Sequence, residues 1–362
     1  MKLRINYIDN LRTIMIFLLI PYHLAMAYNI WGEPNYIFLA ENKVIASIVV
    51  FMSPWFMPAM FLLAGVSACF SLKKRTGSDF LKERFRRLGI PFLFGVIFVN
   101  PILSYVADKT HNGYKGNYFE HYAVYFTRFT DLTGYDGGFT PGHLWFIVAL
   151  MLISVIGYGI IKIIDRLSKN NGKVLYIVDC VIIILSIVAF DIAIGGKKIV
   201  TYLGVYLIGY YLFSQQSFIE KLMKYKNFII TVFTIASVLN VVLYVYIGNY
   251  EVINEICNYM SFIAGIPALI CTGKMYLDYT NEMCSCCSGL SYTFYIVHLP
   301  VVVLCQYFIS LTGIGCIYNF VISFVISAIT TCGICLIFCR KKYLGNEISM
   351  IRKTIIYFKK LS

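Results

Sequence analysis

The chain has 362 residues, of which 59% are hydrophobic and only 14% are charged. Soluble domains average about 45–50% apolar and about 25% charged residues, so this chain has too few polar side chains to cover a soluble surface. The composition therefore excludes soluble globular, disordered and disulfide-rich secreted proteins. The net charge of +13 does not indicate nucleic-acid binding, because Lys and Arg cluster in alternate connections between apolar segments, as membrane topology requires.

Ten apolar segments are predicted to cross the membrane as helices, since about 20 apolar residues span the hydrocarbon core. In chain order they are 12–31, 44–71, 88–107, 144–164, 174–194, 198–213, 227–247, 253–277, 288–309 and 315–339. The expected fold class is all-α, a polytopic transmembrane helical bundle. One integral membrane domain is predicted over 1–345, followed by a basic cytoplasmic tail over 346–362.

The distribution of positive charge predicts the orientation. Of the 31 Lys and Arg residues, 25 lie in the segments on the same side as the N-terminus and 6 on the other side. Cytoplasmic connections carry the excess of Lys and Arg, so both termini are expected to be cytoplasmic. The chain is interpreted as a multi-pass protein of the cell membrane, taken to be a bacterial cytoplasmic membrane, in contact with membrane lipid.

An ionisable residue inside a membrane helix is costly and is therefore a candidate for function. His23 lies 11 residues after Arg12, which on an α-helix places both side chains on one face, about 16–17 Å apart along the axis. Asp9 lies three residues before Arg12 and is expected to pair with it. Pro21 breaks the helical hydrogen bonding beside His23, which is tolerated where a helix lines a cavity. The alternative is a histidine satisfied inside the bundle.

His298 is a second histidine expected near the middle of the membrane, two residues before Pro300. Ser291, Tyr295 and His298 recur at positions i, i+4 and i+7, so they form a polar stripe on one helix face. This stripe belongs to a site or else forms hydrogen bonds between helices. Pro300 also disturbs the backbone carbonyl of Ile296.

The inner segment 72–87 contains seven Lys and Arg residues, more than topology requires. Arg84 and Arg87 are expected to face one anion together, and Arg86 is a third candidate ligand. Guanidinium groups bind phosphate oxygens through paired hydrogen bonds. The segment is therefore predicted to bind a phosphate-bearing cytosolic donor, or alternatively to act as a topology signal that touches anionic lipid.

The longest connection, 108–143, is predicted to lie outside and is rich in Tyr, His, Asn and Asp. It is either a solvated loop with an interfacial aromatic belt or a lid that binds sugars by stacking and hydrogen bonding. His143 and Trp145 follow it and are candidates to close a pocket from the outer side. Trp145 is equally explained as an ordinary interfacial tryptophan.

Metal and tightly bound cofactor sites are not predicted. Cys332, Cys335 and Cys339 share a helix face at a spacing that suits a metal, but no His or carboxylate joins them. The sequence also contains no phosphate-cradling glycine loop, nucleophile elbow or zinc-protease motif.

Five sequence elements occur in order along almost the whole chain. They are Ile8-Asp9-Asn10-Leu11-Arg12 with His23, Met57-Pro58-Ala59-Met60-Phe61 through Gly65, Phe80 through Leu88 with Pro91, Gly142-His143-Leu144-Trp145-Phe146, and Ser291-Tyr292 through His298-Pro300. Together they resemble the acyltransferase-3 family of integral membrane acyltransferases. The Arg-x10-His element is the most specific, and the His-Leu-Trp-Phe element is similar to the branch that includes glucan-modifying succinyltransferases.

The resemblance implies transfer of an acyl group, usually acetyl, from cytosolic acyl-CoA as co-substrate. The implied acceptor is a hydroxyl of an extracytoplasmic carbohydrate or a small hydroxylated molecule. Arg12 and His23 match the family's first-span pair, and Arg84 and Arg87 match its Arg-x-x-Arg loop. Some members carry an extracellular hydrolase-like domain that this sequence lacks, so transfer is expected to finish within the membrane domain.

The expected mechanism makes neutral His23 the general base, while Arg12 helps to hold the CoA arm or biases the electrostatics nearby. His298, Ser291 or Tyr295 would support the thioester oxygen. An acyl-histidine intermediate is the competing mechanism. The competing function is a proton-coupled exporter of a saccharide or a lipid-linked intermediate, which mid-membrane histidines also suit.

Overall fold

The computed structural model describes residues 5–168, 181–189, 192–193, 196–248 and 250–359, with side chains up to residue 338. Within these ranges the chain is helical and forms no β-sheet, which confirms the all-α class. The main helices are α1 (Asn6–Phe17), α2 (Leu19–Met26), α3 (Lys43–Met52), α4 (Phe56–Leu72), α5 (Gly77–Arg84), α6 (Ile90–Phe94), α7 (Pro101–His111), α8 (Tyr118–Thr127), α9 (Trp145–Ser168), α10 (Ile199–Ile208), α11 (Gln216–Lys224), α12 (Lys226–Val241), α13 (Glu251–Tyr276), α14 (Glu282–Ser310) and α15 (Cys316–Lys359). Residues 181–188 are also helical.

Seven helical segments are long and apolar enough to cross a membrane. They are Lys43–Leu72, Gly77–His111, Gly142–Ser168, Lys226–Ile247, Glu251–Tyr276, Glu282–Ser310 and Cys316–Phe338. Each coincides with one of the predicted spans. The apolar helix Ile199–Phe213 is shorter and coincides with the prediction 198–213, whereas the prediction 174–194 lies largely outside the described residues.

The first predicted span, 12–31, has different bounds in the structure. It consists of α1 and α2, which together run from Asn6 to Met26 with a break at Leu18. The break has the predicted cause, because Pro21 has no N–H to donate to the carbonyl three to four residues earlier. The C-terminal end is set by Asn29, whose side-chain amide donates to the carbonyl of Met26 at 2.9 Å.

The inner segment 72–87 is mostly helical, which corrects its interpretation as a loop. Helix α5 begins after Thr76, whose hydroxyl accepts a hydrogen bond from the backbone N–H of Asp79 at 3.2 Å. The helix then widens into a π-helical turn, Phe85–Gly89. π-Helical turns within α-helices are frequent at functional sites. The arginines of this segment are therefore held on a continuous helix rather than on a mobile connection.

Helices α4 and α10 approach each other closely enough that glycine is required at the contact. A Cβ atom on Gly65 would lie 2.0 Å from the carbonyl oxygen of Tyr206. On the π-helical turn after α10, a Cβ on Gly209 would lie 2.4 Å from the carbonyl oxygen of Leu62. Both obstacles are backbone atoms, so neither can move aside by a change of rotamer.

We expect Gly65→Ala to destabilise the protein by about 1–3 kcal/mol, since the added methyl group forces two packed helices apart. Gly159→Ala is the matched control, because no atom lies within 4 Å of its added Cβ. In that position alanine favours the helix by up to about 1 kcal/mol over glycine. Denaturation midpoints in detergent measure both variants, and equal midpoints would contradict the close contact.

The outer segment 108–143 is an ordered cap that contains α8. Asp108 accepts a hydrogen bond from His121 Nε2 at 3.0 Å and forms an ion pair with Arg128 at 3.3 Å. Tyr135 donates to Glu33 at 2.8 Å and so ties the cap to the connection after α2. The segment is therefore fixed by buried polar contacts.

The cap is expected to loosen in acid. Burial lowers the pKa of His121, and the neighbouring Asp108 only partly opposes this. When the cap opens, His121 regains an ordinary pKa of about 6.5 and binds a proton, so the stability present above that pH is lost as the pH falls. Below about pH 6.5, backbone amide hydrogen exchange in α8 should become faster than the intrinsic pH dependence of exchange predicts. In His121→Gln this additional pH dependence should be much weaker. Slower exchange in acid would contradict this sign.

Candidate functional site

A cavity of about 700 Å³ leads from the inner basic segment into the bundle. Its lining includes four arginines, Arg12, Arg75, Arg84 and Arg87, and a single carboxylate, Glu83. Its deep end is lined by α1, α4, α9 and α14 and includes Ile16, Met60, Phe146, Ser291 and Tyr295. The cavity is thus strongly cationic where it is accessible and mainly apolar towards the centre of the bundle.

Arg84 is the arginine whose charge is most available to a ligand. Glu83 pairs with Arg75 and, at 2.6 Å, with Arg87. Arg84 instead lies 5.1 Å from the ring centroid of Phe80, and across the described part of the chain no carboxylate is within ion-pair distance of it. Arg86 is exposed and does not line the cavity, so the structure brings two of the three predicted phosphate ligands together.

Arg12 lies deeper in the cavity and is held from two sides. Asp9 pairs with it at 3.3 Å, as the spacing predicted. Ser67 accepts a hydrogen bond from it at 2.5 Å, and the Leu63 carbonyl at 3.5 Å, so α4 fixes the direction of the guanidinium. Ser67 is a site residue that no sequence pattern indicated.

Three imidazole rings cluster above the cavity. The ring centroid of His298 lies 5.3 Å from that of His23 and 4.9 Å from that of His143. His23 keeps part of its side chain accessible, while the other two rings are buried. The sequence predicted His23 and His298 at similar depth in the membrane, but it predicted for His143 only that it closes a pocket from the outer side. The contact between His143 and His298 is a finding of the structure.

Hydrogen bonds lock the rings of His143 and His298. His143 Nε2 donates to the carbonyl of Ile296 at 3.0 Å, the carbonyl that Pro300 was predicted to free. His298 Nδ1 lies 2.7 Å from the carbonyl oxygen of Tyr295. The Tyr295 hydroxyl donates back to the carbonyl of His143. Proline position predicted a free acceptor, but only the tertiary fold could show that His143 occupies it.

The cavity ends one layer below the three rings. Tyr295 lines it, and the Tyr295 ring centroid lies 5.9 Å from that of His298. The next layer contains Phe17 and Phe294, whose ring centroids are 4.3 Å apart. Phe294 in turn stacks on His298 with a centroid distance of 6.2 Å. Aromatic side chains therefore stand between the cationic cavity and the histidines.

A cation and two aromatic rings lie on the outer side of the cluster. The Lys197 ammonium is 4.7 Å from the ring centroid of Trp145, which stacks on Tyr202 at 6.0 Å. Burial lowers the pKa of Lys197, and Glu33 opposes this shift. Lys197 also lies within electrostatic reach of His23. In the sequence, Lys197 served only to predict the membrane orientation, so its position near the histidines was not predicted.

Comparison with known proteins gives one match. Residues 5–340 match the sequence model of an acyltransferase domain, the acyltransferase-3 family. No curated protein and no solved structure matches the chain. The match covers α1 to α14, the whole apolar segment Cys316–Phe338 of α15, and every residue of the cavity and the histidine cluster.

Proposed function

The chain belongs to the acyltransferase-3 family, and we propose that it moves an acyl group, acetyl in the first instance, from cytosolic acyl-CoA to a hydroxyl on the opposite side of the membrane. The acceptor is an extracytoplasmic carbohydrate or a small hydroxylated molecule. The proposal includes ten membrane spans with both termini in the cytoplasm of a bacterial cell, as the charge distribution favours. Acyl-CoA is a co-substrate and leaves after each turnover.

The arginine-lined cavity is the observation that carries the proposal. CoA has a 3′-phosphate and a diphosphate at one end and a narrow apolar arm at the other. The cavity has Arg75, Arg84 and Arg87 at its accessible end, Arg12 deeper inside, and an apolar deep end near Tyr295. Guanidinium groups suit phosphate oxygens, so Arg84 and Arg87 hold the nucleotide while the arm passes Arg12.

The chemistry needs one base near the thioester. Neutral His23 takes the proton of the acceptor hydroxyl, whose oxygen attacks the thioester carbonyl carbon. The carbon–sulfur bond breaks, and the thiolate recovers the proton from His23, so atoms and charge balance. Lys197 supplies a nearby positive charge as the oxyanion develops. His298 and Tyr295 already donate to backbone carbonyls, which makes them poor donors to that oxygen.

Thiol release from acetyl-CoA by the purified protein in detergent tests the proposal. We expect release above the background hydrolysis rate and its acceleration by hydroxylated acceptors. Acetyl groups trapped on a histidine in the absence of acceptor would favour the two-step mechanism over direct transfer. Absence of thiol release with every acceptor, together with no CoA binding, would refute the transferase and return attention to export.

A further inference from the structure

Two nitrogen atoms in the histidine cluster are buried and make no hydrogen bond in the described structure. They are Nδ1 of His143 and Nε2 of His298. His143 is 6% exposed to solvent and His298 is 0% exposed. A buried polar atom without a hydrogen-bond partner destabilises the folded state. Such atoms in a native protein call for an explanation, and two in adjoining rings point to a ligand.

The partners of the opposite ring nitrogens determine what kind of ligand fits. A backbone carbonyl only accepts hydrogen bonds, so the nitrogen facing it carries the proton. His143 therefore has its proton on Nε2, which faces Ile296, and His298 has its proton on Nδ1, which faces Tyr295. In the neutral rings, the two free nitrogens are thus both acceptors. A ligand that binds both nitrogens must therefore supply hydrogen-bond donors.

The position of the three imidazole rings further restricts the kind of ligand that fits. His298 lies between the other two rings, with centroid distances of 5.3 Å to His23 and 4.9 Å to His143. Among the residues with described side chains, no group of three His, Cys, Asp or Glu has an arrangement suited to a metal ion. A hydroxyl group is a small neutral donor that fits buried acceptors beside a general base.

We propose that His143 Nδ1 and His298 Nε2 form the subsite that binds the hydroxyl groups of the acyl acceptor. The inference rests on the proposed function and adds which atoms hold the acceptor. His143 Nδ1 and His298 Nε2 each accept a hydrogen bond from a hydroxyl close to the one that His23 deprotonates, so the proton of the reacting hydroxyl stays free for His23. The subsite therefore selects acceptors that carry several neighbouring hydroxyls, the pattern that carbohydrates present, over isolated alcohols. His143 and His298 are positioning residues for the acceptor, whereas the CoA arm binds from the other side.

Two amide substitutions test the acceptor subsite while they keep the hydrogen bonds from these side chains to backbone carbonyls. Gln places its amide nitrogen near the position of Nε2, and Asn places its own near Nδ1. His143→Gln and His298→Asn therefore keep the donor to the carbonyl and delete only the free acceptor. His111→Gln is the matched control, because His111 Nε2 also contacts a carbonyl, that of Asn35 at 3.0 Å, but in the outer cap.

The activity readout uses acetyl-CoA with glycerol or propan-1-ol as probe acceptors. We expect the wild type to prefer glycerol, and His143→Gln to raise the KM for glycerol about ten-fold or more with an unchanged KM for acetyl-CoA. The control should match the wild type. An unchanged glycerol KM in an active His143→Gln protein would overturn the subsite.

A second readout does not depend on turnover. The chain has five histidines, so ¹⁵N-histidine NMR with the two variants assigns each ring. We expect protonated Nε2 in His143, protonated Nδ1 in His298, and a shift of both free nitrogens on adding glycerol but not propan-1-ol. The opposite tautomers, or no shift, would reject the subsite. If acetyl-CoA is not turned over while glycerol still shifts both nitrogens, the proposed function fails and the subsite stands.

Discussion

Replacing His23 with glutamine should reduce thiol release from acetyl-CoA by at least about 100-fold, because a positioned general base contributes about 10²–10⁴-fold to a rate. Glutamine has a similar size and hydrogen-bonding capacity but cannot take a proton. The ring of His23 lies outside the cavity lining, so the Kd for CoA should stay within about two-fold of the wild-type value. Loss of rate with retained binding separates the base from the donor site.

His111→Gln serves as the control for this loss, since it removes a histidine from the outer cap and should leave turnover intact. The rates are measured by free thiol and the Kd by titration calorimetry in the same detergent. A His23→Gln protein that releases thiol as fast as the wild type would remove His23 from the chemistry. In that case the buried rings of His298 and His143 would be the next candidates for the base.

Replacing Arg84 with glutamine should weaken CoA binding by about ten-fold to 100-fold, the equivalent of one hydrogen bond to a charged group. Arg84 is favoured over its neighbours because Glu83 already engages Arg75 and Arg87. The side chain of Arg87 is also 74% exposed, so a substitution there should have a smaller effect. The change should appear in Kd and KM, with kcat little altered.

Arg86→Gln is the internal comparison for the donor site. Arg86 has the same charge and lies two residues from Arg84, but it is exposed and does not line the cavity. Its Kd for CoA should therefore change by less than about two-fold. Equal weakening by the two substitutions would mean that the segment attracts CoA only through its overall charge, and that the cavity is not the binding site.

The sequence predicted the helices well because apolar length is a strong local signal. Most spans in the described residues begin and end within four residues of their predicted bounds. The first, third and ninth begin six or more residues earlier than predicted, and the helix of the tenth continues to Lys359. The first span began earlier and ended at Met26 because a side-chain cap from Asn29 closes it, and capping depends on how the chain turns back. The helical continuation of α5 through Arg84 and Arg87 was missed because charge was read as a sign of a loop.

The site was predicted only in part, for a related reason. Periodicity along one helix correctly placed Asp9 beside Arg12 and aligned Tyr295 with His298. It could not predict contacts between helices that are distant in sequence, such as His143 with Ile296. Lys197 was counted for topology alone, and nothing in its neighbours along the chain indicates that it reaches the outer side of the histidine cluster.

The most direct test of the donor site is an experimental structure with an unreactive thioether analogue of acetyl-CoA. We expect nucleotide phosphates in contact with Arg84 and Arg87, and the pantetheine arm in the cavity with its acetyl end beside Tyr295. Binding must then displace the aromatic layer of Phe17 and Phe294 enough to open a path to His23. A nucleotide bound elsewhere, or an arm that leaves the cavity empty, would contradict the account.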